Sequence, residues 1–130
     1  LIVIDASAVL ELLLNSPVGL RVASRVFDAN ESLHAPHLLD LEVAQVLRRY
    51  VAARELTAQR ATEAMDDFID LPISRYAHID LLPRVWQLRS SVSAYDAAYV
   101  SLAETLDAVL LTCDVKLRNS HGHTARIDVA

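Results

Sequence analysis

The chain of 130 residues carries 12 basic and 17 acidic side chains, for a net charge of −5, and 53% of it is hydrophobic. That is enough chain for one compact domain over residues 1–130, with a composition unlike that of a disordered segment. The charge balance excludes a protein that coats nucleic acid by bulk positive charge, and leaves local binding of a phosphate chain open.

Leu1-Ile2-Val3-Ile4 opens the chain without a methionine, so one or more preceding residues are expected; the run reads as a buried strand ending at Asp5. A helix is expected from Ser7 to about Asn15, with Leu10, Leu13 and Leu14 on one face. The helical period resumes from Val18 to about Asn30 through Val22, Val26 and Phe27. Ser32 to Ala35 reads as extended and runs into Pro36. The strongest helix follows, Leu38 to Arg54, striped by Leu39, Val43, Val46, Leu47, Tyr50 and Val51. Thr57 is the N-cap of a helix through Met65, Phe68 and Ile69 that stops before Pro72.

Ile73 to Ala77 is a short strand. Asp80 is then the expected cap of a helix carrying Val85, Trp86 and Leu88, with Pro83 in its first turn. Ser93 opens a helix through Tyr99, Leu102 and Leu106. Ala108 to Thr112 is a second buried strand that stops at an acid, Asp114, and Arg126 to Val129 is a last edge strand. Apolar, non-alternating strands separated by helices predict an α/β fold. The expected form is a three-layer sandwich with a central, mainly parallel sheet flanked by helices.

Two glycines, with no GxGxxG or GxxxxGK[ST] pattern, exclude dinucleotide-binding and P-loop chemistry. The single Cys113 excludes a disulfide framework and a cysteine zinc site, and its apolar setting reads as a small core residue in a reducing cytoplasm. No apolar stretch reaches the ~18 residues of a membrane span. Asp5 and Glu11 interrupt the apolar opening, so a signal peptide is not expected. Eleven of the 12 basic residues are arginine, which reflects either coding bias or bidentate recognition of phosphate and carboxylate. His121 and His123 read as surface residues.

Ligands in open α/β sheets bind outside the carboxyl ends of the strands. Asp5 and Asp114 each stand where a buried strand hands over to a helix, Asp96 lies in the first turn of the preceding helix, and Glu42 borders an apolar stripe. Each has a second reading as a helix cap or a solvated helix residue, and the residues alone leave both open. If the four converge, their mutual repulsion calls for a cation, and hard oxygen donors select Mg²⁺ or Mn²⁺. Such a metal lowers the pKa of a bound water and offsets charge on a phosphate.

Four segments resemble the ordered motifs of PIN domains: Ile2-Val3-Ile4-Asp5-Ala6-Ser7, Leu41-Glu42-Val43, Tyr95-Asp96-Ala97-Ala98-Tyr99-Val100-Ser101-Leu102-Ala103, and Leu111-Thr112-Cys113-Asp114-Val115-Lys116-Leu117. The likeness spans nearly the whole chain, and short chains of this kind resemble VapC, the toxin of VapBC toxin–antitoxin pairs. It implies a Mg²⁺- or Mn²⁺-dependent endoribonuclease with Asp5, Glu42, Asp96 and Asp114 as its acidic quartet. Asp5 and Asp96 would be direct metal ligands, Asp114 direct or through water, and Glu42 would act through a bound water or as its general base. Ser7 and Thr112 would be hydroxyls that orient the carboxylates.

The resemblance further implies cleavage of RNA such as tRNA or ribosomal RNA to a 5′-phosphate and a 3′-hydroxyl. It also implies a homodimer, a cognate VapB-type antitoxin and a toxin–antitoxin hetero-oligomer, with no membrane. Leu10, Leu13, Leu14, Val22 and Val26 are candidates for the antitoxin groove, and Arg48, Arg49, Lys116 and Arg118 for holding RNA phosphates. Tyr95 and Tyr99 are candidates for stacking on a base, with Tyr99 placed in the core by its stripe. Two other readings compete. An aspartyl-phosphate enzyme built on Asp5 lacks the second acid two residues on, where Ser7 stands, and Lys116 follows the wrong acid for a receiver domain. A silent PIN-like scaffold that binds RNA or protein differs from the nuclease in metal-dependent cleavage.

Overall fold

In the computed structural model, which describes Leu1–Ala130, the β-branched run forms strand β1 (Ile2–Ile4), with every residue buried. Helix α1 (Ala6–Leu13) begins at once, because Asp5 accepts the Ala8 amide and so caps it. The helix starts one residue earlier than the sequence suggested and ends at Leu13, before Asn15 turns to positive φ. Ser16 accepts the Gly19 amide and Pro17 takes the first position of helix α2 (Pro17–Val26). This helix stops at Val26 rather than near Asn30, where the Asp28 side chain instead accepts the Asn30 amide in a tight turn.

Strand β2 (Leu33–Pro36) leads into helix α3 (Leu38–Ala52), which ends before Arg54 at φ 58°. Thr57 caps α4 (Ala58–Asp70), and strand β3 spans Ile73–Tyr76. The expected Asp80 cap is not formed. His78–Leu81 is a 3₁₀ turn containing Asp80, and α5 (Leu82–Gln87) begins beyond it, because Pro83 has no N–H to bond backwards. Trp86 is exposed, and it carries the Arg89 guanidinium over its ring at 4.7 Å. Helix α6 (Ala94–Leu106), capped by Ser93, strand β4 (Val109–Thr112), the short α7 (Val115–Arg118) and strand β5 (Arg126–Val129) complete the chain.

The five strands pair in parallel throughout, in the order β3-β2-β1-β4-β5. Helices α1 to α4 pack on one another, while α5 and α6 pack together, with α6 lying over β1, β2 and β4. Right-handed crossovers explain the layers. The steps from β1 to β2 to β3 run one way across the sheet, and the steps to β4 and β5 run the other, so their helices cover opposite faces. The direction of winding therefore reverses between β1 and β4. The apolar core spans both faces and includes Ile2, Ile4, Leu39, Val43, Tyr99 and Leu110.

Candidate active site

The reversal between β1 and β4 opens a crevice at the carboxyl ends of those two strands. Asp5 follows β1 and Asp114 caps the helix after β4, so both stand at its mouth. Helices run back against the strands, which brings the N-terminal turns of α3 and α6, carrying Glu42 and Asp96, to the same edge.

Asp5 is the most deeply set of the four, with 6% of its surface exposed. Its Oδ1 accepts the Ser7 hydroxyl at 2.6 Å and the Ala8 amide at 3.1 Å, and its Oδ2 accepts the Thr112 hydroxyl. Thr112 Oγ1 also accepts the Asp114 amide at 3.0 Å, and Ser7 Oγ accepts the Cys113 amide at 2.9 Å. Two hydroxyls thus tie the end of β1 to the end of β4. Burial pushes the Asp5 carboxyl above its usual range; the hydroxyl donors oppose this and the Asp114 charge adds to it.

The other acids feel the same field. Burial raises the Asp96 carboxyl, with Asp114 and Asp5 adding to the effect. Burial raises Glu42 as well, opposed by the Tyr99 hydroxyl and reinforced by Asp5 and Asp96. Tyr99 Oη donates to Glu42 Oε1 at 2.6 Å, and burial together with that carboxylate holds the phenol far above its ordinary range, so it stays a donor. No arginine, lysine or histidine forms an ion pair with any of the four acids; every such pair in the molecule lies elsewhere.

The arrangement is an uncompensated cluster of oxygen donors, the chemistry that suits a hard divalent cation. No three of its carboxylates already stand in ligating geometry. The fit therefore rests on donor type and on the missing counter-charge. Cys113 offers no competing nucleophile. It is half-buried rather than in the core, and burial, with Asp5 and Glu11 behind it, pushes its thiol up to about 11.

The remaining candidates divide. Arg49, Tyr95 and Glu42 line one groove of about 500 Å³ with Leu38, Leu41 and Gln45, and Tyr95 is 66% exposed. Arg48 faces a different groove, between α3 and α4, with Leu47, Val51 and Ala58. Lys116 and Arg118 are exposed on α7 beside Asp114. Leu10, Leu13, Val22 and Val26 are core residues, and Leu14 is half-buried against them. These five candidates, for each of which a plain core role was the alternative reading, lie where α1 packs against α2. His121 is exposed, whereas His123 is half-buried and bonded to Ser120 at 2.7 Å. Sequence reasoning missed the bond between Tyr99 and Glu42. Its one signal was the three-residue spacing from Asp96 to Tyr99, which sets both on one side of α6.

A family model described as PIN domain matches residues 2–120. Ribonuclease VapC12 of Mycobacterium tuberculosis is 40% identical over 129 residues, covering 99% of this chain and 98% of that protein. Two solved structures share the fold. VapBC2 from Rickettsia felis, bound to a DNA fragment from its promoter, gives a TM-score of 0.67 at 10% identity, covering 98% of this chain and 97% of that one. Mycobacterium tuberculosis VapC20, described as a Sarcin-Ricin loop cleaving toxin, gives 0.67 at 14% identity, covering 95% and 97%.

Proposed function

The chain belongs to the PIN domain family, and from that premise we propose that it is a VapC-type endoribonuclease, the toxin of a toxin–antitoxin pair, acting as one domain over residues 1–130. The observation that carries the reading is the set of four carboxylates gathered without a counter-cation where β1 and β4 part. Asp5, Asp96 and Asp114 would hold a divalent cation, Mg²⁺ or Mn²⁺, with Glu42 beside it, and the bound metal would acidify a water and offset phosphate charge.

The protein's own groups do the rest. Ser7, Thr112 and the Ala8 amide fix both oxygens of Asp5, so its orientation is set before substrate arrives. Glu42, held at Oε1 by Tyr99, keeps Oε2 to take a proton from the attacking water. Arg49 and Tyr95, in the groove that includes Glu42, would meet the phosphate and a base of an RNA strand. Attack on the phosphodiester then leaves a 5′-phosphate and a 3′-hydroxyl.

The partners of this reading are RNA of the tRNA or ribosomal class, a cognate VapB-type antitoxin and a second copy of the chain. Its setting is the cytoplasm; no single helix is long and apolar enough to cross a membrane.

The test is cleavage of a mixed tRNA and ribosomal RNA pool by antitoxin-free protein with Mg²⁺, Mn²⁺ or EDTA, alongside Asp96→Asn. Metal-dependent fragments absent from the variant support the reading. Fragments that persist in EDTA or in Asp96→Asn overturn the site, and no fragments under any condition leave a silent scaffold.

A further inference from the structure

Glu42 sits in an adverse place for a carboxylate. It is half-buried, faces the charges of Asp5 and Asp96, and has no basic partner. A glutamate side chain has three torsions, and like-charge repulsion favours the rotamers that swing it out to water. The one donor that touches it is the Tyr99 hydroxyl, at 2.6 Å. Tyr99 cannot follow it outward, because its ring is 2% exposed and locked among core residues on α6, one turn inward from Asp96.

We infer that Tyr99 is a positioning residue for the ribonuclease reaction, its core-anchored hydroxyl holding Glu42 Oε1 against the repulsion of the other acids so that Oε2 stays at the acidic centre. The inference rests on the ribonuclease reading above. The bond also spans α3 and α6, so it sets the distance between the element that supplies Glu42 and the one that supplies Asp96. A plain core tyrosine using Glu42 merely to satisfy its own hydroxyl predicts a loss of stability alone.

Tyr99→Phe removes the hydroxyl and keeps the ring. On an oligonucleotide carrying the site cut in the pool, the variant is expected to lose about 10- to 100-fold in kcat with KM unchanged. In a Glu42→Gln background it costs nothing further, because both changes remove one device. An independent readout is the carboxyl carbon resonance of Glu42 in the metal-free chain, assigned by its loss in Glu42→Gln. It moves in Tyr99→Phe while the resonances of Asp5 and Asp114 stay.

A chain carrying 3-fluorotyrosine at position 99 keeps the packing and moves the same resonance, so the test survives if Tyr99→Phe does not fold. Unchanged kcat, an unmoved resonance, or a loss that multiplies with that of Glu42→Gln each overturns the inference. If the wild-type chain cuts no RNA, the ribonuclease reading falls and the reaction role with it; the resonance then still reports whether the hydroxyl holds Glu42.

Discussion

Thr112→Val tests whether a hydroxyl holds the acidic centre together. Thr112 is 0% exposed, and valine fills nearly the same volume, so packing around β4 is little disturbed. What disappears is Oγ1, which donates to Asp5 Oδ2 and accepts the Asp114 amide at 3.0 Å. Losing a donor to a buried carboxylate costs about 1.5–3 kcal/mol, and the half-exposed Asp114 amide adds at most about 1 kcal/mol. The sum of about 1.5–4 kcal/mol lowers Tm by about 5–15 °C in a chain of 130 residues.

The cost depends on pH, and its sign follows from Asp5. Burial holds that carboxyl above its usual value of 3.8, and removing the Thr112 donor raises it further. The folded state then binds the proton more tightly than the unfolded state, so stability falls as pH rises through the folded pKa. The gap between wild type and variant is therefore widest at pH values above the folded pKa and narrows as pH falls through it. Thermal melts and urea titrations in chelator across that range measure it. A Tm change below about 2 °C, or a gap that does not vary with pH, refutes the argument that this hydroxyl stabilises the ionised acid.

Asp96→Asn removes one of the mutually repelling charges, so near neutral pH the metal-free variant should melt a few degrees above wild type while losing cleavage. A lower Tm in chelator would show that burial and the Asp114 and Asp5 charges do not strain Asp96 as described. Arg84 pairs with Glu104 through two bonds of 2.9 Å and holds its carboxyl down at about 2, its hydrogen bond being the largest cause. That stabilisation is present above Glu104's usual value of 4.5 and is lost as pH falls toward 2, so Arg84→Ala should cost about 1–2 kcal/mol near neutral pH and progressively less in acid, with cleavage intact. Denaturant titrations at both pH values measure this, and an acid-independent loss contradicts it. A Cβ on Gly19 would come within 2.0 Å of the Glu11 carbonyl, so Gly19→Ala should force α1 and α2 apart and cost about 1–3 kcal/mol; an unchanged urea midpoint would refute that packing.

Strands β1 and β4 were legible because each is a short buried run ahead of an acid, Asp5 and Asp114, and the central strands of a parallel sheet covered on both faces write that pattern plainly. Ser93 and Thr57 were legible because capping is local chemistry. The same locality misled at Asp80, where Pro83 selected a 3₁₀ turn over the expected cap. Leu10 and Val26 showed an apolar face without showing what covers it, since periodicity predicts burial and not the partner. The bond from Tyr99 to Glu42 joins residues 57 apart, and the pair of Arg25 with Asp128 joins residues 103 apart. Such bonds follow from how helices are stacked and leave no periodic trace.

Of the five strands the central one is made first, and of its two neighbours β4 comes far later than β2. β1 must be joined by β4, and the hydroxyl that fixes Asp5 comes from a residue 107 positions later. Closing so long a loop is slow, and it requires the segment that forms β4 to have left the ribosome. A nascent or truncated chain thus carries Asp5 and Glu42 with no acidic centre to place them in.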